Sequence, residues 1–287
     1  MTAFKFGMIG GGVMGEALLS RLIAEGIYQG SEVLVSEPQS QRREFLAKQY
    51  GVGVTANNRE VAGAAEVLFL AIKPQVFEAV AAELTAFSGE VSNGEIPLPQ
   101  LQLESPKGEA VVVSILAGVP LSKLESAFPG RPVLRVMPNT PATVGAGMSA
   151  IAPGKYVQPT HLSLGKRLFQ AVGEVVEVPE SLMDAVTGLS GSGPGYVAIL
   201  IEALTDGGVY AGLPRAIAAQ LALQTVFGTA KLLQETGMHP AELKDKVTSP
   251  GGTTIAGIAQ LEKAGFRSAL IEAVKAAYRR SQELGQS

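Results

Sequence analysis

The sequence predicts an α/β protein whose N-terminal half alternates short apolar strands with helices and whose C-terminal half is all helix. Three observations predict it. A glycine-rich turn, Gly10-Gly11-Gly12-Val13-Met14-Gly15, stands directly between a strand-like run and a helix-like one. Short runs rich in Val, Leu and Ile then recur as far as residue 178, each followed by small, polar or proline-containing residues. Beyond Pro179 the apolar residues fall instead at the i, i+3, i+4 spacing of a helix face.

Phe4–Ile9 reads as the first strand, and the helix after the glycines carries Leu18, Leu19, Leu22 and Ile23 before stopping at Gly26. Val33–Ser36 is a second strand ending at Glu37, 22 positions after Gly15. Gly10, Gly12 and Gly15 fit the G-x-G-x-x-G pattern, and strand, turn, helix and later acidic residue together form the context of a Rossmann dinucleotide-binding unit. In that reading Gly10, Gly12, Val13, Met14 and Gly15 admit a pyrophosphate to the helix N-terminus, and Glu37 accepts hydrogen bonds from the adenosine ribose. The alternative is a glycine turn with a purely structural task.

Three more strands follow. Val67–Ile72 ends in Lys73-Pro74, Val111–Ile115 ends in Leu116-Ala117-Gly118, and Val133–Val136 ends in Met137-Pro138-Asn139-Thr140-Pro141. Strands apolar on both faces belong in a parallel sheet. Ligands bind at the C-terminal ends of such strands, which adds Ala71, Lys73, Pro74, Ala117 and Gly118 to the candidate cofactor site; Lys73 also reads as a plain surface lysine. The Gly/Pro-rich stretch Ser88–Pro106 reads as a surface insertion before a strand. Glu174–Val178 closes the sheet and Pro179 marks a boundary, dividing the chain into residues 1–179 and 180–287.

In the second half, Leu189–Tyr196 reads as another glycine-rich turn, with Pro194 at the first position of a helix carrying Val197, Leu200, Ile201 and Leu204 and breaking near Gly207-Gly208. Glu202 and Asp206 share a helix face, as an acid/base pair or as a solvated, ion-paired face. The uncharged run Ala216–Ala230 is short and polar for a membrane span, since it contains Gln220, Gln224 and Thr225; it reads as a helix buried on most sides, as at a subunit interface. His239 reads as an interhelical turn residue, with a catalytic role as the alternative. Lys244–Gly257 carries the densest chemistry: Pro250 stops the preceding helix, Gly251 and Gly252 turn the backbone, and Thr253 and Thr254 are candidate N-caps of the helix carrying Ile255, Ile258 and Leu261. A helix start with two hydroxyls is a natural carboxylate seat, or else a tight interhelical turn. Leu270, Ile271, Val274, Ala277 and Tyr278 form an apolar stripe on a last helix suited to pairing with a second copy.

Composition narrows the chemistry. The net charge of −3 over 287 residues gives no basic field for nucleic acid or a membrane surface. Without cysteine there is no disulfide, thiolate nucleophile or Cys-ligated metal, and the two histidines, His161 and His239, lack metal-ligand spacing. The first residues lack the n-region, long h-region and cleavage site of a signal peptide, so a soluble, cytoplasmic protein without a metal is expected.

Five motifs give the chain a resemblance to the pyrroline-5-carboxylate reductases: Phe6–Gly15, Ala71-Ile72-Lys73-Pro74, Met137–Pro141, Leu189–Pro194 and Leu243–Thr254. The resemblance covers essentially the whole chain apart from Ser88–Pro106. It implies a Rossmann domain followed by a helical dimerisation domain, a homodimer, and rings of dimers. It implies that Ser249, Gly252, Thr253 and Thr254 bind the carboxylate and ring nitrogen of 1-pyrroline-5-carboxylate, which is reduced to L-proline in the last step of proline biosynthesis. It also implies that the cofactor is NADPH or NADH. A protonated imine is already a strong electrophile, so orienting its carbon under a nicotinamide is the main task; Thr254 is the candidate for the hydrogen bond to nitrogen. The chain departs from the family where Glu37 stands before Pro38: a carboxylate there favours NADH, whereas Ser36, Arg42, Arg43 and Asn58 are nearby, and Asn58 matches a family position at the adenosine end. Two rivals are a hydroxyacid-dehydrogenase-like enzyme using Lys231, and a nucleotide sensor without turnover.

Overall fold

The computed structural model describes residues 4–64, 66–85 and 110–286, so the stretch Ser88–Pro106 lies outside the described residues. Among the described residues eight strands form one sheet: β1 (Phe6–Ile9), β2 (Val33–Ser36), β3 (Gly53–Thr55), β4 (Val67–Leu70), β5 (Val111–Ser114), β6 (Val133–Met137), β7 (Gly147–Pro153) and β8 (Gly173–Glu177). Their spatial order is β3-β2-β1-β4-β5-β6-β7-β8. The first six take the doubly wound order of a dinucleotide fold, with the reversal beside β1.

The helices in chain order are α1 (Val13–Ala24), α2 (Ser40–Tyr50), α3 (Asn58–Ala62), α4 (Phe77–Thr85), α5 (Leu121–Ala127), α6 (Pro159–Gln170), α7 (Met183–Val186), α8 (Gly193–Tyr210), α9 (Arg215–Thr236), α10 (Pro240–Lys246), α11 (Thr253–Lys263) and α12 (Phe266–Gln286). The chain divides into two compact units, Met1–Gly191 with Tyr278–Ser287, and Ser192–Ala277.

Why the central strands are so apolar is visible in their alternation. Phe6 and Met8 of β1, Val67 and Phe69 of β4, and Val111 and Val113 of β5 enter one apolar layer. Their neighbours Ile9, Leu68, Leu70 and Val112 enter another. Side chains of a strand point alternately to opposite faces, so a strand covered on both sides favours apolar residues at nearly every position. Phe6 lies 5.8 Å from Phe69 and 5.2 Å from Tyr28, ring centre to ring centre, which fills the first layer with aromatic volume.

Two strands were not foreseen. β3 is three residues long and half-buried, too short to present a pattern. β7 runs antiparallel to β6, so the sheet is not parallel throughout. The turn Thr140–Val144 returns the chain directly beside β6, and a connection this short permits only an antiparallel neighbour.

Arg135 on β6 is 8% exposed, and its guanidinium lies 3.0 Å from the Glu180 carboxylate. The same carboxylate oxygen accepts the Leu121 N–H at the start of α5. Glu180 thus neutralises a buried cation and caps a helix. Glu180→Ala leaves the arginine without a counter-charge, and we expect a loss of about 2–3 kcal/mol, below the range for a fully buried pair because Glu180 is partly solvated. Urea unfolding checks it; a loss under about 0.5 kcal/mol would reduce the pair to a surface contact.

Three expectations for the helical half are corrected. Leu189–Tyr196 is not an open turn: Thr187–Gly191 winds as a π-helical turn that runs into α8, where Gly193 is the first residue and Pro194 the second. The helix does not break at Gly207-Gly208 but continues to Tyr210, because Gly208 serves packing: a Cβ there would stand 3.0 Å from Cβ of Ala218 on α9. Within one protomer only Ala218 and Ala222 of α9 are buried, while Leu223 and Phe227 are 57% and 59% exposed, so most of the helix is left uncovered by its own chain. Finally, Gly252 rather than Thr253 or Thr254 occupies the N-cap of α11. Pro250 and the left-handed Gly251 (φ 66°) bring the chain into the helix one residue earlier than the threonines alone suggest.

Candidate active site

The glycine turn leaves β1 and enters α1 within three residues. Gly10 holds φ at 98°, where a side chain is disfavoured, and a Cβ on it would also meet the Ala71 carbonyl oxygen at 2.7 Å. Gly12 is the N-cap of α1, extended and with open space on its Cα. Val13 is 75% exposed and Met14 half-buried. The first-turn N–H groups of α1 lack helical acceptors, and this open start fits a pyrophosphate. Gly15 lets the helix pass directly over the turn: a Cβ there would stand 2.7 Å from the Gly10 carbonyl oxygen and 3.2 Å from Cβ of Ala71. The structure therefore brings Gly10, Gly15 and Ala71 together.

Gly11, between the motif glycines, is held on both sides. Its N–H donates to Oε2 of Glu37 at 3.1 Å, and its carbonyl accepts from Nε of Arg42 at 2.7 Å. The other oxygen of Glu37 accepts the Gln39 N–H at 3.1 Å. Arg42 continues to the Glu16 carboxylate, which also accepts the Tyr50 hydroxyl at 2.7 Å. Burial pushes the Glu16 carboxyl upward, but the hydrogen bonds from Arg42 and Tyr50 and the arginine's charge outweigh it and hold the carboxyl below its usual value. Tyr50 responds in the opposite sense, pushed up to about 12 by burial and by the carboxylate. Glu37 and Arg42 are the residues the sequence points to here; Glu16 and Tyr50, which no motif marks, join them because α1 and α2 meet.

Asn58 accepts the Ser36 hydroxyl at 2.6 Å and donates to Glu83 at 2.8 Å, which places it at the end of β2. Lys73 is exposed and caps the short turn Pro74–Val76 at the end of β4. Ala117 and Gly118 follow the neighbouring strand β5, with Ala117 exposed and Gly118 in a left-handed turn beside Leu284. Asn139, within a motif noted in the sequence but not singled out, fixes the end of β6: its Oδ1 accepts the Met148 N–H at 2.8 Å, and its amide donates to the carbonyl and hydroxyl of Ser190 at 3.3 and 3.4 Å.

In the second unit Ser249, Gly252, Thr253 and Thr254 occupy one turn and the first residues of α11. The Gly252 N–H closes the turn on the Ser249 carbonyl at 3.0 Å. A Cβ on residue 252 would stand 2.3 Å from Oγ of Ser249, so the glycine leaves the hydroxyl its place. Thr253 and Thr254 are the first two helical residues, and neither hydroxyl has a hydrogen-bond partner among the described residues. Free first-turn amides and free hydroxyls on an eleven-residue helix suit a small carboxylate. By contrast Asp206 pairs with Arg215, both exposed, which supports the ion-paired reading of that face. Nδ1 of His239 accepts the Ala241 N–H as a helix cap, an interhelical turn role.

A family model for pyrroline-5-carboxylate reductase dimerisation matches residues 180–284. A second, for coenzyme F420-dependent NADP oxidoreductase, matches residues 5–92. The chain is 59% identical to the pyrroline-5-carboxylate reductase of Synechocystis sp., with 99% of each chain covered. It is 39% identical to that of Escherichia coli, again with 99% of each covered. Among solved structures it matches a pyrroline-5-carboxylate reductase from Coxiella burnetii with a TM-score of 0.85 at 32% identity over 100% of both chains. It also matches the Plasmodium falciparum enzyme with NADP bound, at a TM-score of 0.83 and 29% identity over 99% of both.

Proposed function

The chain belongs to the pyrroline-5-carboxylate reductase family, and from that premise we propose how its own residues carry the reduction of 1-pyrroline-5-carboxylate to proline with NAD(P)H. The observation that carries the substrate assignment is the Ser249–Thr254 turn, whose unpaired hydroxyls and first-turn amides face no competing acceptor or donor among the described residues. The amides of Thr253 and Thr254 and the Ser249 hydroxyl hold the carboxylate. The Thr254 hydroxyl bonds the ring nitrogen and relays to it a proton taken up from solvent, so that the hydroxyl is restored as the amine is protonated. Gly10, Gly12, Val13, Met14 and Gly15 seat the pyrophosphate at α1; Glu37 and Asn58 stand at the adenosine end; Ala71, Lys73, Pro74, Ala117 and Gly118 line the cofactor from the ends of β4 and β5. Bound there, a reduced nicotinamide supplies the hydride, which adds to the imine carbon while the C=N π electrons become the amine lone pair.

Residues 1–179 act as the dinucleotide-binding domain and residues 180–287 as the substrate and dimerisation domain. The exposed apolar positions of α9, with Ile199, Leu204 and Tyr210 of α8, are the surface a second copy covers. The apolar stretch of α9 has a mean hydropathy of 1.3 and is long enough to cross a membrane, yet its Gln220, Gln224 and Thr225 suit a protein partner better than lipid. Phe227→Glu is expected to shift the oligomer toward smaller species in sedimentation velocity while far-ultraviolet circular dichroism keeps its helical signature; an unchanged sedimentation coefficient would place the subunit contact elsewhere. Dimers assembling further into rings, in the cytoplasm, complete the proposal. Lys231, the base that a hydroxyacid dehydrogenase would require, is exposed and pairs with Glu235 one turn away at 3.5 Å, which supports the imine reductase instead.

Following the loss of reduced-nicotinamide absorbance with 1-pyrroline-5-carboxylate tests the activity. Oxidation that depends on the imine supports it. Tight cofactor binding without oxidation would overturn it in favour of the sensor.

A further inference from the structure

Two adjacent arginines begin α2, and their surroundings separate their tasks. Arg42 is committed: Nε donates to the Gly11 carbonyl, the guanidinium pairs with Glu16, and it lies 5.1 Å over the ring of Phe45. Glu37 is committed as well, with one oxygen on the Gly11 N–H and the other on the Gln39 N–H. Ser36 and Asn58 bond each other, and Asn58 bonds Glu83. Arg43 differs. A single nitrogen, Nη1, donates to the carbonyls of Glu37 and Pro38 at 2.7 and 2.8 Å, and the side chain forms no ion pair among the described residues. Its guanidinium therefore rests on the backbone that leaves β2, with donors uncommitted.

We infer that Arg43 is the residue that recognises a 2′-phosphate on the adenosine ribose, while Arg42 and Glu37 clamp the Gly11 peptide and serve either cofactor alike. The inference rests on the dinucleotide reading of the glycine turn. An arginine near the end of the second strand is the group able to accept that phosphate, because its planar fork offers paired donors. Glu37, with two backbone N–H groups on its oxygens, has less of its charge directed outward than a free carboxylate.

The experiment uses the full-length protein and calorimetric titration with adenosine 2′,5′-bisphosphate and with 5′-AMP, alongside KM for NADPH and NADH. Arg43→Gln is expected to weaken the bisphosphate and raise KM for NADPH by roughly tenfold or more, leaving 5′-AMP and NADH within about twofold. Arg43→Lys restores part of the loss. Arg42→Gln weakens all four ligands together. An Arg43→Gln protein that binds the bisphosphate unchanged, or loses both nucleotides equally, overturns the assignment, as does a wild type that prefers 5′-AMP. A wild type that binds neither NADPH nor NADH overturns the dinucleotide reading itself, and this is seen before any variant is made.

Discussion

Thr254→Ala is expected to lower turnover about a hundredfold while the dissociation constant of the reduced cofactor stays within about twofold, the size of effect seen when one hydrogen bond to a transition state is removed. The residue sits second in α11, half-buried, with no partner for its hydroxyl among the described residues. It therefore does nothing for the fold that alanine would not do as well, and alanine is the better helix former. What is lost is a donor and acceptor aimed at the imine nitrogen, whose basicity rises as the hydride arrives. An effect confined to kcat, with cofactor binding intact, follows from a contact made more strongly in the transition state than in the ground state. Thr254→Ser keeps the hydroxyl and should recover most of the rate. Stopped-flow measurement of the single-turnover rate decides the matter: unchanged turnover in the alanine variant removes Thr254 from the mechanism, and equal losses in the alanine and serine variants assign the threonine to packing.

The first half was legible because its physics is local. Strands such as Val67–Leu70, buried on both faces, are apolar throughout, and the glycine turn needs its glycines at fixed positions. β7 escaped because its sequence, Gly147–Pro153, mixes Gly, Ser, Ala and Pro with Met and Ile and carries little strand propensity. Neighbouring β6 and β8 organise it through pairing, which no window of sequence records. The helical half misled for a related reason. Gly207-Gly208 looked like a break because glycine usually ends helices, but here the missing side chain admits Ala218. In the candidate site, the motif residues near Gly10 and Ser249 can be named from the sequence, whereas the polar chain Gly11–Arg42–Glu16–Tyr50 depends on α1 and α2 meeting and could not be read from spacing alone.

Substituting the third motif glycine should weaken both cofactors together, and the reason lies in how tightly α1 crosses the turn. In Gly15→Ala the new methyl would stand 2.7 Å from the Gly10 carbonyl oxygen and 3.2 Å from both Cβ of Ala71 and Sδ of Met8. The carbonyl cannot retreat easily, since Gly10 is fixed by a left-handed φ and by the hydrogen bond from its N–H to the Ser36 carbonyl at 2.8 Å. The helix must lift instead, which carries its N-terminal amides away from the pyrophosphate. Overpacking of this kind costs roughly 1–3 kcal/mol, and the same strain expressed in binding is about a ten- to hundredfold loss of affinity. Because the pyrophosphate is common to NADPH and NADH, the loss should be equal for the two, unlike the Arg43→Gln effect. Gly12→Ala is the informative companion. Residue 12 has φ −69°, and nothing lies within 4 Å of the place a Cβ would take, so alanine fits the empty turn and Tm should not change. The methyl then occupies the open face onto which a pyrophosphate would settle, and affinity falls without any loss of stability. Thermal unfolding and cofactor titration of the two variants separate the fold's need for glycine from the ligand's. If Gly12→Ala binds both cofactors as tightly as the original chain, the pyrophosphate does not approach α1 at its start and the seat must be sought elsewhere.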